Sequence, residues 1–132
     1  MKELIGKRIN KVFMRDDTMM VFETDTGEKI AYETFGDCCS YSWFAHITNL
    51  DALIGNIVNN VVEREEFTET EQKKAEAEGD YECLALYGYM LKTDKGTCDI
   101  EFRNGSNGYY GGWCELVTYK PNVDLKEVKE DR

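Results

Sequence analysis

Residues 4–12 read Leu-Ile-Gly-Lys-Arg-Ile-Asn-Lys-Val, and residues 53–61 read Leu-Ile-Gly-Asn-Ile-Val-Asn-Asn-Val. The two stretches agree in Leu, Ile, Gly, Asn and Val when they are aligned without a gap. Agreement in register of this kind is typical of an internal repeat. We therefore predict two β-rich units, one over about residues 4–50 and the other over about residues 53–119.

Each repeated stretch leads toward a pair of predicted strands joined by a similar turn. The turn reads Thr24-Asp25-Thr26-Gly27 in the first unit and Thr93-Asp94-Lys95-Gly96 in the second. Asp and Gly suit tight hairpin turns, because Gly accepts a positive φ and Asp bonds to its own backbone. The shared turn favours duplication, and the alternative is a coincidence between two common hairpin sequences.

A change of period after residue 36 predicts a helix. Asp37 or Ser40 can cap its start, and the pattern runs to about Asn49. Cys39 and Trp43 are four residues apart, a spacing that places two side chains on one helical face.

The sequence thus predicts an α+β fold in one domain over residues 1–122. Alternating apolar and polar side chains indicate a mainly antiparallel, strongly bent sheet or two packed sheets, with one helix after residue 37. No pattern of parallel βαβ units is present. Residues 123–132 are rich in charge, and we expect a charged C-terminal tail that frays or forms a short helix.

Composition restricts the partners. The chain has 132 residues, 26 acidic and 16 basic side chains and a net charge of −10. Nucleic-acid binding depends on Lys and Arg, so direct binding is not expected, and binding to anionic membranes is not expected for the same reason. Acidity permits binding to a basic partner, or it merely keeps the protein soluble. Without a signal peptide, and with an odd number of cysteines, we expect the protein in the cytoplasm with its thiols reduced.

The segment Gly36-Asp37-Cys38-Cys39-Ser40-Tyr41-Ser42-Trp43 resembles a family of short phage and bacterial proteins known only as a domain of unknown function. The similarity extends to the Leu-Ile-Gly start and to Asn-Gly-Tyr-Tyr-Gly-Gly at residues 107–112. The resemblance implies a setting in phages and their hosts, and it implies no reaction. The acidic stretch at residues 63–82 is less typical of the family.

Cys38, Cys39 and His46 are the candidates for metal binding or catalysis. A thiolate is favoured at a helix start by free backbone N–H groups. His46 lies seven residues after Cys39, about 10 Å along a helix, which is too far for a nucleophile and its base. Zinc needs four ligands, and no CxxC spacing is present. The alternative is that Cys39 and Trp43 pack into the core.

Residues 106–113 combine glycines with aromatic side chains. Glycines let a ligand approach the backbone, and flat rings stack on bases or sugars. The alternative is a hairpin turn followed by an edge strand with aromatic packing. The candidate ligand-binding residues are Asn107, Tyr109, Tyr110, Trp113 and Arg103.

Residues 63–82 hold nine acidic side chains against three basic ones. Spaced carboxylates imitate phosphates and can occupy the basic groove of a nucleic-acid-binding protein. The alternative is a solvated helix with Glu–Lys pairs, or a flexible loop. The candidate partner-binding residues are Glu63, Glu65, Glu66, Glu69 and Glu71.

Three function classes follow. The favoured one is a small phage-type accessory protein that binds and blocks a host protein with a basic surface, such as a defence nuclease or another nucleic-acid-binding factor. The second is a protein that binds and sequesters a nucleotide signal, often as a homo-oligomer. The third is a Cys-dependent enzyme or a zinc-binding protein. No catalytic constellation is recognisable, so we expect binding without catalysis and without a cofactor.

Overall fold

Two antiparallel sheets form the protein in the computed structural model, which describes residues 1–106, 111–121 and 124–132. The strands are β1 (Arg8–Arg15), β2 (Met19–Thr24), β3 (Lys29–Gly36), β4 (Ser40–Thr48), β5 (Asn56–Ile57), β6 (Asn60–Arg64), β7 (Cys83–Thr93), β8 (Gly96–Ser106), β9 (Gly112–Val117) and β10 (Lys126–Val128). Sheet A has the order β10-β1-β2-β3-β9, with β5 paired to β1, and sheet B has the order β4-β8-β7-β6. One α-helix, α1 (Glu69–Ala77), and two 3-10 turns (Lys2–Leu4 and Leu50–Ala52) complete the described elements.

The predicted α+β class is wrong. Strands hold 55% of the described residues and helices 12%, so the fold is largely β. In the described part of the chain no helix is long and apolar enough to cross a membrane.

The repeated stretches have equivalent backbone roles in the two halves. Gly6 and Gly55 both have a positive φ, 85° and 80°. The Gly6 N–H donates to the Val58 carbonyl, and the Gly55 N–H donates to the Ile9 carbonyl, each over 2.7 Å. Arg8 pairs with Ile57, which occupies the same place in the other stretch. An approximate two-fold axis therefore passes between these two residues.

Each half of the chain builds three adjacent strands of one sheet, and the strand that follows these three belongs to the other sheet. Strands β1, β2 and β3 are neighbours in sheet A, and β6, β7 and β8 are neighbours in sheet B. Strand β4 follows β3 but pairs with β8, and β9 follows β8 but pairs with β3. The exchange joins the halves into one hydrophobic core, whose largest fully buried side chains include Tyr32, Phe22, Phe44, Leu4, Leu53 and Ile100.

The helix predicted after residue 37 is also wrong, because residues 40–48 form β4. Cys39 has φ 68°, a left-handed conformation that belongs to a turn. The strand register shifts between Phe44 and His46, so a bulge lies at this point. The bulge brings both Phe44 and Ile47 into the core, and their spacing of three imitates a helical period.

The C-terminal segment joins sheet A as strand β10. Its residue Val128 pairs with Val12 of β1, in place of the frayed or helical tail expected there. The Asp131 carboxylate accepts hydrogen bonds from the backbone N–H groups of Asn49 and Leu50 at 2.8 and 2.7 Å. These contacts fix the chain end against the 3-10 turn that begins at Leu50.

Candidate functional site

The acidic segment is an ordered helix with a capping box at its start. The Glu71 N–H donates to Thr68 Oγ1 over 3.1 Å, and the Thr68 N–H donates to Glu71 Oε1 over 3.0 Å. The motif satisfies two N–H groups that a helix start otherwise leaves without partners. The N-terminal boundary of α1 is therefore fixed locally by Thr68 and Glu71.

Two arginines of sheet B attach α1 to the outer face of that sheet. Arg64 donates from Nη2 to both Glu71 oxygens, at 2.6 and 2.7 Å, and its guanidinium lies 4.2 Å from the centre of the Phe67 ring. Arg103 is buried and donates to Glu78 and Glu101, each over 2.7 Å. Both cations are thus paired with carboxylates of this protein.

Backbone and apolar contacts add to this attachment. Gln72 Nε2 donates to the Leu84 carbonyl of β7 over 2.7 Å. Ala75 is the buried residue of the helix, and the ring of Tyr81 covers Gly105. These contacts hold α1 on the surface of sheet B. Of the two predicted alternatives for the acidic segment, a helix and a flexible loop, the structure therefore contains the helix.

The five predicted partner-binding carboxylates have different surroundings. Glu63, Glu65 and Glu66 are exposed, and no ion pair is found for them among the described residues. Glu69 is exposed and lies 2.9 Å from Lys73 in the next helical turn. Glu71 is held by Arg64 and by the cap. The first four are accessible to a partner, whereas Glu71 serves the fold.

Replacing Glu71 by Gln should lower the free energy of unfolding by about 0.5–1 kcal/mol at pH 7, as for a partly exposed ion pair. The Thr68 N–H and the Arg64 guanidinium lower the pKa of Glu71. A carboxylate with a depressed pKa stabilises the fold above its unfolded pKa, about 4.3, and this stabilisation is lost as the pH falls through the folded value. Urea unfolding at pH 7 and pH 3 measures both effects.

Glu69→Gln is the matched control, because Glu69 lies on the same helix in an exposed pair. Its cost at pH 7 should be smaller than that of Glu71→Gln. Equal costs at pH 7, or a Glu71→Gln cost that persists at pH 3, would contradict the assigned role of Glu71.

A second feature is a groove of about 470 Å³ between the edge of sheet B and strand β9. Phe102 and Tyr89 are buried and form its floor with Tyr87. The Phe102 ring stacks on Tyr87 with a centroid distance of 4.8 Å and on Tyr89 with one of 5.9 Å. Trp113, 43% exposed, lies at the rim. The volume falls within the usual range of small-molecule sites, about 300–1,000 Å³.

The predicted ligand-binding residues lie in different places. Trp113 lines the groove and stacks on Phe35, with a centroid distance of 6.0 Å. Arg103 lies under α1, where two carboxylates already hold it. Asn107, Tyr109 and Tyr110 lie outside the described residues. Gly112 approaches Ser42 and Asn104 of sheet B, so its missing side chain serves the contact between the two sheets.

The structure does not bring the metal and catalytic candidates together. Cys38 and Cys39 are exposed in the turn between β3 and β4, with their sulfurs 3.3 Å apart. His46 lies about 20 Å further along β4, by the rise of a strand, and its Nε2 is 4.0 Å from Glu78. Across the described ranges no three His, Cys, Asp or Glu side chains are grouped to hold a metal.

The thiols near the core are not activated. Burial raises the pKa of Cys114, which lines the groove, to about 12, and burial raises that of Cys98 to about 12 as well. Both therefore remain protonated at neutral pH, and a protonated thiol is a weak nucleophile.

Sequence reasoning missed the groove, although one signal for it was present. Tyr87 and Tyr89 alternate along one strand, and Glu63 and Glu65 show the same spacing of two. A spacing of two places side chains on one face of a strand. The sequence did not show that these two faces meet, because that depends on the pairing of Glu63 with Tyr89.

Comparisons with known proteins found a similar viral protein and a family of unknown function. The chain is 28% identical over 117 residues to the uncharacterized protein L278 of Acanthamoeba polyphaga mimivirus. The aligned region covers 87% of this chain and 90% of that protein. No solved structure matches the chain. The family model described as a domain of unknown function (DUF7448) matches residues 2–116. The chain therefore belongs to this family of unknown function.

Proposed function

We propose that this protein binds a partner protein through the acidic surface formed by Glu63, Glu65, Glu66 and Glu69. The observation that carries the proposal is the rigid attachment of α1 to sheet B by the Arg64–Glu71 and Arg103–Glu78 pairs. A surface that is already ordered loses less conformational entropy when it binds. Its exposed carboxylates are complementary to a basic partner surface.

The charge of the site also favours a protein partner over a nucleotide signal. Sheet B provides two cations next to α1, Arg64 and Arg103. Each of them forms an ion pair with Glu side chains of this protein. A phosphate would have to displace one of these carboxylates. A basic protein partner requires no such exchange, because it meets carboxylates that are already exposed.

The spacing of the exposed carboxylates indicates the kind of protein that this surface would bind. Carboxylates held on a rigid helix and on the chain before it imitate the phosphates of a nucleic acid. We infer a partner that normally binds nucleic acid, such as a defence nuclease, which this protein would block. The similarity to a mimivirus protein supports a viral setting, and the resemblance at residues 36–43 extends it to phages. The site of action would be the cytoplasm of the infected cell.

The test compares the wild-type protein with the E63K/E65K/E66K/E69K variant. Glu71 stays unchanged, since its loss weakens the fold. Each exposed ion pair contributes about 0.2–1 kcal/mol, so four reversals should weaken binding by about 0.8–4 kcal/mol, or about 4-fold to 1,000-fold. Proteins captured from host lysate by the immobilised wild type are identified by mass spectrometry, and the affinity of each purified partner is then measured for both forms.

The control variant E28K/D51K/D124K/E130K changes the net charge by the same amount at exposed carboxylates elsewhere. Its affinity should stay near that of the wild type, and wild-type affinity should fall as salt is raised from 50 to 300 mM. A partner that both variants bind equally, or one whose affinity is independent of salt, would refute the proposal.

A further inference from the structure

The groove between sheet B and β9 has an apolar floor and an acidic rim. Phe102 and Tyr89 are at most 7% exposed, and Phe102 stacks with both Tyr87 and Tyr89, so the floor is closed, and Tyr87 and Trp113 supply the accessible ring surface. Glu63 pairs with Tyr89 in the strand register, so both side chains point to the same side of sheet B. Glu65 also lines the groove and is exposed.

The net charge of this groove is negative. Arg64 is the one basic side chain among the described residues that line it, and its guanidinium is held by both oxygens of Glu71. Cys114 contributes a neutral thiol. The α-amino group of Met1 belongs to the adjoining groove, where it lies 3.9 Å from Glu3 and where burial lowers its pKa. The carboxylates of Glu63 and Glu65 form no ion pair among the described residues and supply the negative charge of the rim, and Glu63, which also lines the adjoining groove, interacts electrostatically with the Met1 amino group.

We propose that the groove binds a small amphipathic cation, a molecule with a flat aromatic body and an ammonium group. The body packs over this floor against the partly exposed ring of Tyr87 and the exposed ring of Trp113, where offset stacking adds to the burial of apolar surface. The ammonium group lies between Glu63 and Glu65, and aromatic faces attract it further. A nucleotide or another anion would meet two carboxylates at the same position and is disfavoured.

Three indole derivatives of similar size test this charge preference. Tryptamine carries an ammonium group, tryptophol is neutral, and indole-3-propionate carries a carboxylate. NMR titration of the isolated wild-type protein should show tryptamine binding about 10-fold more tightly than tryptophol, with the propionate weakest, as two charge-assisted contacts imply. The backbone signals of Glu63 and Tyr87 and the indole N–H signal of Trp113 should shift.

The E63Q/E65Q variant removes the two charges and keeps the shape of the side chains. Tryptamine should then bind about as weakly as tryptophol does, while the affinity for tryptophol should stay unchanged. The control variant E28Q/E130Q lowers the net negative charge equally at exposed positions outside the groove and should bind tryptamine as the wild type does.

Trp113→Ala should weaken the binding of tryptamine and tryptophol by the same factor, since it removes part of the aromatic rim and no charge. No binding by any of the three at millimolar concentration, equal affinities for all three, or an unchanged tryptamine affinity in E63Q/E65Q would overturn the proposal. All titrations use the isolated protein, so their outcome does not depend on the proposed protein partner.

Discussion

Replacing Leu53 by alanine should lower the free energy of unfolding by about 2–5 kcal/mol, the usual cost of a large cavity in a well-packed core. Leu53 is completely buried, and it occupies in the second repeated stretch the place of Leu4, which is also completely buried. Leu4→Ala should therefore cost a similar amount. Urea unfolding followed by tryptophan fluorescence measures both costs.

Ile5→Ala is the matched control for these two variants. Ile5 is the next residue of the repeat, and its side chain is 43% exposed. Its replacement should cost less than about 1 kcal/mol, because much of its apolar surface is already in water. A Leu53→Ala cost as small as that of Ile5→Ala would show that the two repeated stretches do not both anchor the core.

The repeat shows which features of the fold are readable from sequence. The ungapped alignment of the two stretches places Gly6 opposite Gly55, and in the structure each has a positive φ and an equivalent hydrogen bond. Such features depend on residues that are close in the chain. The exchange of β4 and β9 between the sheets depends on pairings such as Trp43 with Arg103, 60 residues apart, which no local pattern specifies.

Two local features gave signals that were misread or unused. The spacing of four between Cys39 and Trp43 predicted a helix, but Cys39 lies in a turn with φ 68° and Trp43 lies in β4, where it pairs with Arg103. Thr68 and Glu71 form a capping box pattern, a Thr followed three residues later by a Glu, which marks a helix start. That pattern would have decided in favour of a helix over a loop for the acidic segment.

The two candidate sites could be predicted from sequence to different degrees, because the residues of one are close in the chain and those of the other are not. The acidic surface comes from one continuous segment, and composition alone identified its carboxylates. The groove combines side chains from β6, β7, β8 and β9, and it exists only after both sheets have formed. Of its residues only Trp113 was named from sequence as a ligand-binding candidate, because it stands in a distinctive run of glycines and aromatics, whereas Glu63 and Glu65 were named for binding a partner protein.

Replacing Gly112 by alanine should lower the free energy of unfolding by about 1–3 kcal/mol, the cost of inserting a methyl group into a filled space. A Cβ at this position would overlap Ser42 Oγ and lie 2.9 Å from Asn104 Cβ. Ser42 cannot turn away without loss, because its Oγ donates to the Phe35 carbonyl and accepts from Asn104 Nδ2. The expected loss is therefore one of packing and of hydrogen bonds between the two sheets.

Gly111→Ala is the control for this replacement, since the nearest atom to a Cβ there is the Tyr87 hydroxyl at 3.4 Å. It should cost less than Gly112→Ala in urea unfolding. In the S42A/G112A double variant the Oγ is absent, so its total cost should be below the sum of the two single costs by about 0.5 kcal/mol or more. Strict additivity would mean that the Asn104 side chain of β8, and not Ser42, sets how closely β9 approaches sheet B. An equal loss of unfolding free energy in Gly111→Ala and Gly112→Ala would show that the contact between the sheets does not require a glycine at residue 112.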